Sequence, residues 1–120
     1  MKILIVDDSL AMRRIVQRTL RQAGFDGHDF IEATNGKEGL AKVEAEAPDV
    51  VLSDWNMPEM NGYEFLCALR ATGAKVPFGF ITTEGTPEMR QKAAEAGANF
   101  LLEKPFTAEQ MAQTINTYVK

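Results

Sequence analysis

The sequence predicts an α/β fold, a mainly parallel sheet with helices on both faces, on the strength of three observations. Short apolar runs alternate with amphipathic segments of helical length five times along the chain. The joints between them carry helix start and stop residues, such as Asn-Gly-Lys-Glu, Thr-Pro and a closing Gly. With 120 residues, 45% of them hydrophobic, the chain can bury one core without a disulfide or a structural metal.

Taken in order, Ile3 to Val6 is the first apolar run. The segment from about Ser9 to Ala23 follows, with Met12, Ile15, Val16, Thr19, Leu20 and Ala23 at helical spacing, and Gly24 is its stop. A weaker extended stretch covers His28 to Glu32. Asn35 to Glu38 then reads as a capping box that opens a helix to about Ala47, with Pro48 beyond. Asp49 to Ser53 forms the third strand around Val50, Val51 and Leu52, and the Pro58 region, Asn56 to Met60, forms a loop. A second capping box, Asn61 to Glu64, leads into an inward stripe of Phe65, Leu66 and Leu69. Phe78 to Thr82 is the fourth strand. Thr86-Pro87 opens a helix that Gly97 closes, because threonine caps well and proline suits the first helical position. Phe100 to Leu102 is the fifth strand, and Thr107 to Gln110 caps a last helix carrying Met111, Ile115 and Val119. Right-handed crossovers leave few ways to join these units, and the expectation is one domain, 1–120.

Composition removes several function classes. Thirteen basic residues against seventeen acidic ones give a net charge of −4 with no basic cluster, so direct nucleic-acid binding is not expected. No stretch approaches the length of a membrane span, and the N-terminal apolar run meets Asp7 and Asp8 too soon for a secretory signal, so a cytoplasmic location is expected. The one cysteine, Cys67, makes no internal disulfide and is expected to pack in, or at the edge of, the third helix. Neither nucleotide-binding glycine pattern is present.

Chemistry gathers at the strand ends. Asp7 and Asp8 follow the first strand, Asp54 the third, Thr82 closes the fourth and Lys104 follows the fifth. Open α/β sheets bind ligands outside the carboxyl ends of their strands. If the first and third strands are neighbours, three carboxylates converge, and their repulsion calls for protonation or a bound cation. Oxygen donors without a nearby histidine or cysteine suit Mg²⁺ or Mn²⁺ rather than zinc. Lys104 and the Thr82 hydroxyl can serve a phosphoryl oxygen at the same edge.

These residues sit in strings that resemble the bacterial response-regulator receiver domain, most of all its stand-alone chemotaxis type. The strings are ILIVDDS at 3–9, DWNMPEMNG at 54–62, TTEG at 82–85, AGA at 96–98 and EKPF at 103–106, and the resemblance spans the chain. It implies a doubly wound (βα)5, flavodoxin-like three-layer sandwich with sheet order 2-1-3-4-5. It implies that Asp54 accepts a phosphoryl group from a sensor histidine kinase. Asp7, Asp8, Asp54 and the Asn56 backbone carbonyl would hold Mg²⁺, with Asp7 helping through water. Thr82 would be the switch hydroxyl, and Lys104 the phosphoryl contact, followed by a cis peptide to Pro105. Asn56 and Glu84 fall where the family sets phosphoryl lifetime.

Two departures stand out. Leu101 occupies a place where the family carries an aromatic ring, and Thr83 one where a small residue is common; the expectation is that coupling depends more on the loop after Thr82. The resemblance places the output surface on the fourth helix, fifth strand and fifth helix, roughly 86–120, facing a protein such as a flagellar motor component, and it allows for a phosphatase that ends the signal. Trp55 is expected at the site rim, and His28 far from the acidic cluster. Competing readings are an intermediate phosphoryl carrier, a receiver cut from a larger regulator, and a small Mg²⁺-dependent phosphatase with an aspartyl-phosphate intermediate. The last is disfavoured by Asn56, which stands where such enzymes have an acid.

Overall fold

The structure, a computed structural model, describes residues 1–119. Five parallel strands lie in the order β2-β1-β3-β4-β5, with β1 at Lys2–Val6, β2 at Asp29–Ala33, β3 at Val50–Ser53, β4 at Phe78–Thr82 and β5 at Phe100–Glu103. The helices are α1 (Leu10–Leu20), α2 (Gly36–Glu46), α3 (Gly62–Ala71), α4 (Pro87–Ala96) and α5 (Ala108–Tyr118). This is the expected flavodoxin-like arrangement.

Strand alternation divides the core in two. Ile3, Ile5, Val50 and Leu52 face α1 and α5, where they meet Val16, Leu20, Met111 and Ile115. Leu4, Val6 and Val51 point the other way, onto Phe65, Leu66 and Leu69 of α3 and Ala93 of α4. Each of the larger side chains here, from valine to phenylalanine, contributes roughly 1.5–3 kcal/mol when fully buried. Since every residue of β3 and β4 is buried, these are central strands covered on both faces.

The helix signals mostly act as read. Asn61 and Glu64 form a reciprocal capping box, as do Thr107 and Gln110, and Thr86 caps α4 ahead of Pro87. The box at Asn35 is half made. The Asn35 side chain accepts the Glu38 N–H, but the Glu38 carboxylate turns to the backbone and hydroxyl of Thr34 instead of the cap residue. Gly24 does stop α1, at φ 104°, although the last turn widens into a π-helical one over Arg21–Phe25. That turn brings Phe25 into the core.

Other boundaries move by a residue. Pairing with β1 starts the second strand at Asp29 and carries it to Ala33, one residue later than expected. Pairing with Thr82 extends the fifth to Glu103. Of the α1 residues at helical spacing, Val16 and Leu20 are buried, whereas Ile15 lies off that line and is 46% exposed. Cys67 lies on the exposed edge of α3. Lys120, the end of the expected output region, lies outside the described residues. No helix among the described residues is long and apolar enough to cross a membrane.

Candidate functional site

The sheet turns back on its own order between β1 and β3, and the candidate site lies at that switch point. In the register that pairs Val6 with Ser53, Asp7 and Asp54 emerge side by side from neighbouring strands. The Asp54 N–H still donates to the Val6 carbonyl at 2.9 Å, and the Asp7 N–H donates to Ala33 at 3.0 Å, so both aspartates leave the sheet with fixed backbones.

Carboxylate oxygens of Asp7, Asp8 and Asp54 lie within 4.8 Å of one another. Asp7 is buried, Asp54 half-buried and Asp8 exposed, which gives the cluster a closed floor and an open mouth. Hard oxygen donors at this spacing fit Mg²⁺ or a similar dication. Burial pushes the Asp54 carboxyl above the ordinary carboxylate range, against the pull of Lys104 and of N–H groups from Trp55 and Asn56. Burial also raises Asp7; the Ser9 N–H, at 2.9 Å from its carboxylate, opposes the rise, and the Asp54 charge adds to it. Both shifts express one cost, that of holding negative charge together out of water.

The Lys104 ammonium lies 3.8 Å from Asp7 Oδ2, with both side chains nearly enclosed. Its own N–H donates to the Thr82 carbonyl at 2.7 Å, which fixes the base of the lysine to the end of β4. Thr82 is fully buried, and its hydroxyl accepts the Glu84 N–H at 3.2 Å. Asn56, Thr83 and Glu84 are exposed around the mouth. Trp55 forms part of the rim, with its ring centroid 4.5 Å from that of Phe80 and 5.7 Å from that of Tyr63. The Lys104–Pro105 peptide is cis. His28 sits at the opposite end of the sheet, against the N-terminus and the Phe25 ring.

Residues 3–116 match the response regulator receiver domain family. The chain belongs to that family. This receiver domain is 41% identical over 118 residues to the chemotaxis protein CheY1 of Helicobacter pylori strain J99, covering 96% of this chain and 94% of that one. It is 40% identical to the CheY homolog of Campylobacter jejuni, over 96% and 89% of the two chains. Among solved structures, the chemotaxis protein CheY4 of Vibrio cholerae superposes with a TM-score of 0.87 at 38% identity, over 98% of each chain. Response regulators are the receiving half of two-component signalling, and this chain is similar to those that serve chemotaxis.

Several residues shape the site that sequence reading passed over. Gly62, read only as part of a capping box, packs so tightly that a Cβ there would sit 2.1 Å from the Asp54 carbonyl oxygen. Its N–H donates to the Trp55 carbonyl at 2.8 Å, which folds the loop after β3 back on itself. Arg13 donates to the Asp7 carbonyl at 2.6 Å while its Nε pairs with Glu32 at 2.8 Å, bracing the acidic pair from α1. The Ser53 hydroxyl donates to the Asp54 carbonyl at 2.8 Å. Only Gly62 had a local signal, its place in the DWNMPEMNG string; the others depend on which elements meet. Beside the site, α1 and the chain after β5 leave an apolar groove of about 340 Å³, lined by Met12, Ile15, Thr83, Lys104, Pro105 and Phe106.

Proposed function

We propose that this receiver domain is a phosphorylation switch in which Asp54 accepts a phosphoryl group from a sensor histidine kinase and thereby changes the affinity of the chain for a partner protein, in the control of chemotaxis or motility in the cytoplasm. The observation that carries the reading is the convergence of Asp7, Asp8 and Asp54 at the switch point, with the Lys104 ammonium beside them.

Asp8 and Asp54 would hold Mg²⁺ together with the Asn56 backbone carbonyl, and Asp7 would act through water. The ion supplies positive charge that offsets the carboxylates and the phosphoryl oxygens. A carboxylate oxygen of Asp54 attacks phosphorus in line, the P–N bond to the kinase imidazole breaks, and its electron pair stays on that nitrogen, which takes up a proton. Lys104 neutralises an equatorial oxygen, and the Thr82 hydroxyl donates to another. Trp55, packed on the buried Phe80 ring, covers part of the rim beside Asp54. The acyl phosphate brings about −1.5 to −2 charges where the carboxylate had one, which rewards movement of the hydroxyl toward it. Water later attacks the same phosphorus, so the signal is self-limiting, whether or not a phosphatase assists.

Position supports a protein donor. Thr83 and Lys104 of the site also line the apolar groove, and exposed Leu10 and Ile15 of α1 stand near Arg14 and Arg18 in a helix without an acid. Output is assigned to the α4-β5-α5 face, within 86–120, and to a partner such as a flagellar motor component.

Intact-protein mass after incubation with a small phosphodonor and Mg²⁺ tests the reading. A labile gain of about 80 Da, one phosphoryl group, is expected, and it should vanish with Asp54→Ala or EDTA. A gain that survives Asp54→Ala defeats the assignment. Substituting Asn56 or Glu84 is expected to change the decay of the label more than its uptake; unchanged decay in both variants would remove them from the mechanism.

A further inference from the structure

We propose that Arg90 is a latch on this switch: it fastens the loop that follows Thr82 to the outer edge of β5 and holds that loop in its present arrangement until Asp54 is phosphorylated. The proposal rests on the reading of Asp54 as the acceptor and adds a regulatory part to the same site.

β5 ends the sheet. Among the described residues its one strand partner is β4, so its outer edge presents backbone groups that no strand pairs. Arg90, near the start of α4, reaches that edge. Its Nε donates to the Gly85 carbonyl at 3.2 Å and its Nη1 to the Leu101 carbonyl at 3.4 Å, while Nη2 lies 3.9 Å from Glu103 Oε1. A guanidinium holds its donors in one rigid plane, so a single side chain ties the loop and the strand together in a fixed relation. Gly85 makes the closeness possible. A Cβ there would stand 2.4 Å from Glu103 Oε1 and 2.9 Å from Arg90 Nη2.

The latch lies in line with the switch hydroxyl. Thr82 Oγ1 accepts the Glu84 N–H, and Glu84 is joined to Gly85, whose carbonyl Arg90 holds. Moving the hydroxyl toward a phosphoryl group on Asp54 therefore pulls on the Arg90 contact. The other end of that contact is the backbone of Leu101, the residue that lacks a switching ring. Coupling in this chain thus runs through the Leu101 carbonyl, where a leucine side chain offers neither a ring edge nor a hydroxyl.

The test uses the full chain with Arg90→Met, which keeps the aliphatic stem, and Arg90→Lys, which keeps the charge without the planar fork. Amide hydrogen exchange over 83–86 in the unphosphorylated protein is expected to rise roughly fivefold in both, because a point charge cannot span the two carbonyls. Exchange in β1 and β3 should stay unchanged, which separates a released loop from a damaged fold. Labelling of Asp54 by phosphoramidate should speed up by roughly threefold, since a larger fraction of molecules is free to bring Thr82 forward. Glu103→Gln should remain near wild type, because that ion pair is long and half exposed. Unchanged exchange at 83–86 in Arg90→Met overturns the latch. Raised exchange with an unchanged labelling rate also overturns it, leaving Arg90 a structural tie. A wild-type chain that takes no phosphoryl group strikes the acceptor reading instead, and the exchange measurement then decides on its own whether Arg90 restrains the loop.

Discussion

Asp7 and Asp54 carry the electrostatic cost of the site. Both carboxyls are raised, chiefly by burial, so each holds its proton more tightly in the folded chain than in the unfolded one. The metal-free fold therefore gains stability from these two groups as pH falls from neutral through their raised values, and loses it again as pH rises. The gain ends where the carboxylates that rely on being charged, such as Glu38, become protonated. Thermal melts in EDTA across this range should show it, and Asp54→Asn should raise the neutral-pH melting temperature by a few degrees while flattening the profile. A lower melting temperature for Asp54→Asn would mean that its bonds to Trp55 and Asn56 outweigh the repulsion. Mg²⁺ should do more than the substitution. At a hundredfold excess over its dissociation constant it adds about 2.7 kcal/mol, and Asp8→Asn should remove most of that gain with little effect on the metal-free melt, since Asp8 is exposed.

At the scale of elements, loops position the chemistry and caps hold the loops. The turn from β3 to α3 brings the start of the helix against the Asp54 carbonyl, and glycine at 62 is what permits it. Gly62→Ala is expected to cost about 1–3 kcal/mol and to slow phosphorylation, because either Asp54 or the helix start must move. Asn61→Ala, one residue earlier, removes a reciprocal cap at a cost of about 1 kcal/mol but leaves the contact with Asp54 intact. Denaturant midpoints and labelling rates for the two variants separate these roles: Gly62→Ala should fall in both, Asn61→Ala mainly in stability. Equal loss of labelling rate in both would show that any loosening of α3 disturbs the acceptor. The half-made box at Asn35 shows the limit of motif reading. Asn-x-x-Glu is present in sequence, but Thr34 competes for the carboxylate, and that contest is settled by the chain's path out of β2.

Across the whole molecule, two hydrophobic layers clamp one sheet and leave its carboxyl edge free for polar chemistry. Leu101 belongs partly to the layer against α4 and is half-buried, so Leu101→Ala should cost about 1–2 kcal/mol. The ratio of partner affinity between phosphorylated and unphosphorylated chain should survive that substitution, and a selective loss in the phosphorylated form would make the leucine side chain the coupler. The sequence alone determined the alternation of strands and helices, the capped helix starts and the five polar residues at strand ends, because these follow from local periodicity and from neighbours a few positions apart. Its strings also carried the family, and through it the strand order. Tertiary structure alone decided the exposed side of Ile15, the bracing of Asp7 by Arg13, the closeness of Gly62 to Asp54 and the reach of Arg90 to the sheet edge. Each of these depends on a distance between elements far apart in the chain, and such distances are fixed only when the strands pair and the helices pack.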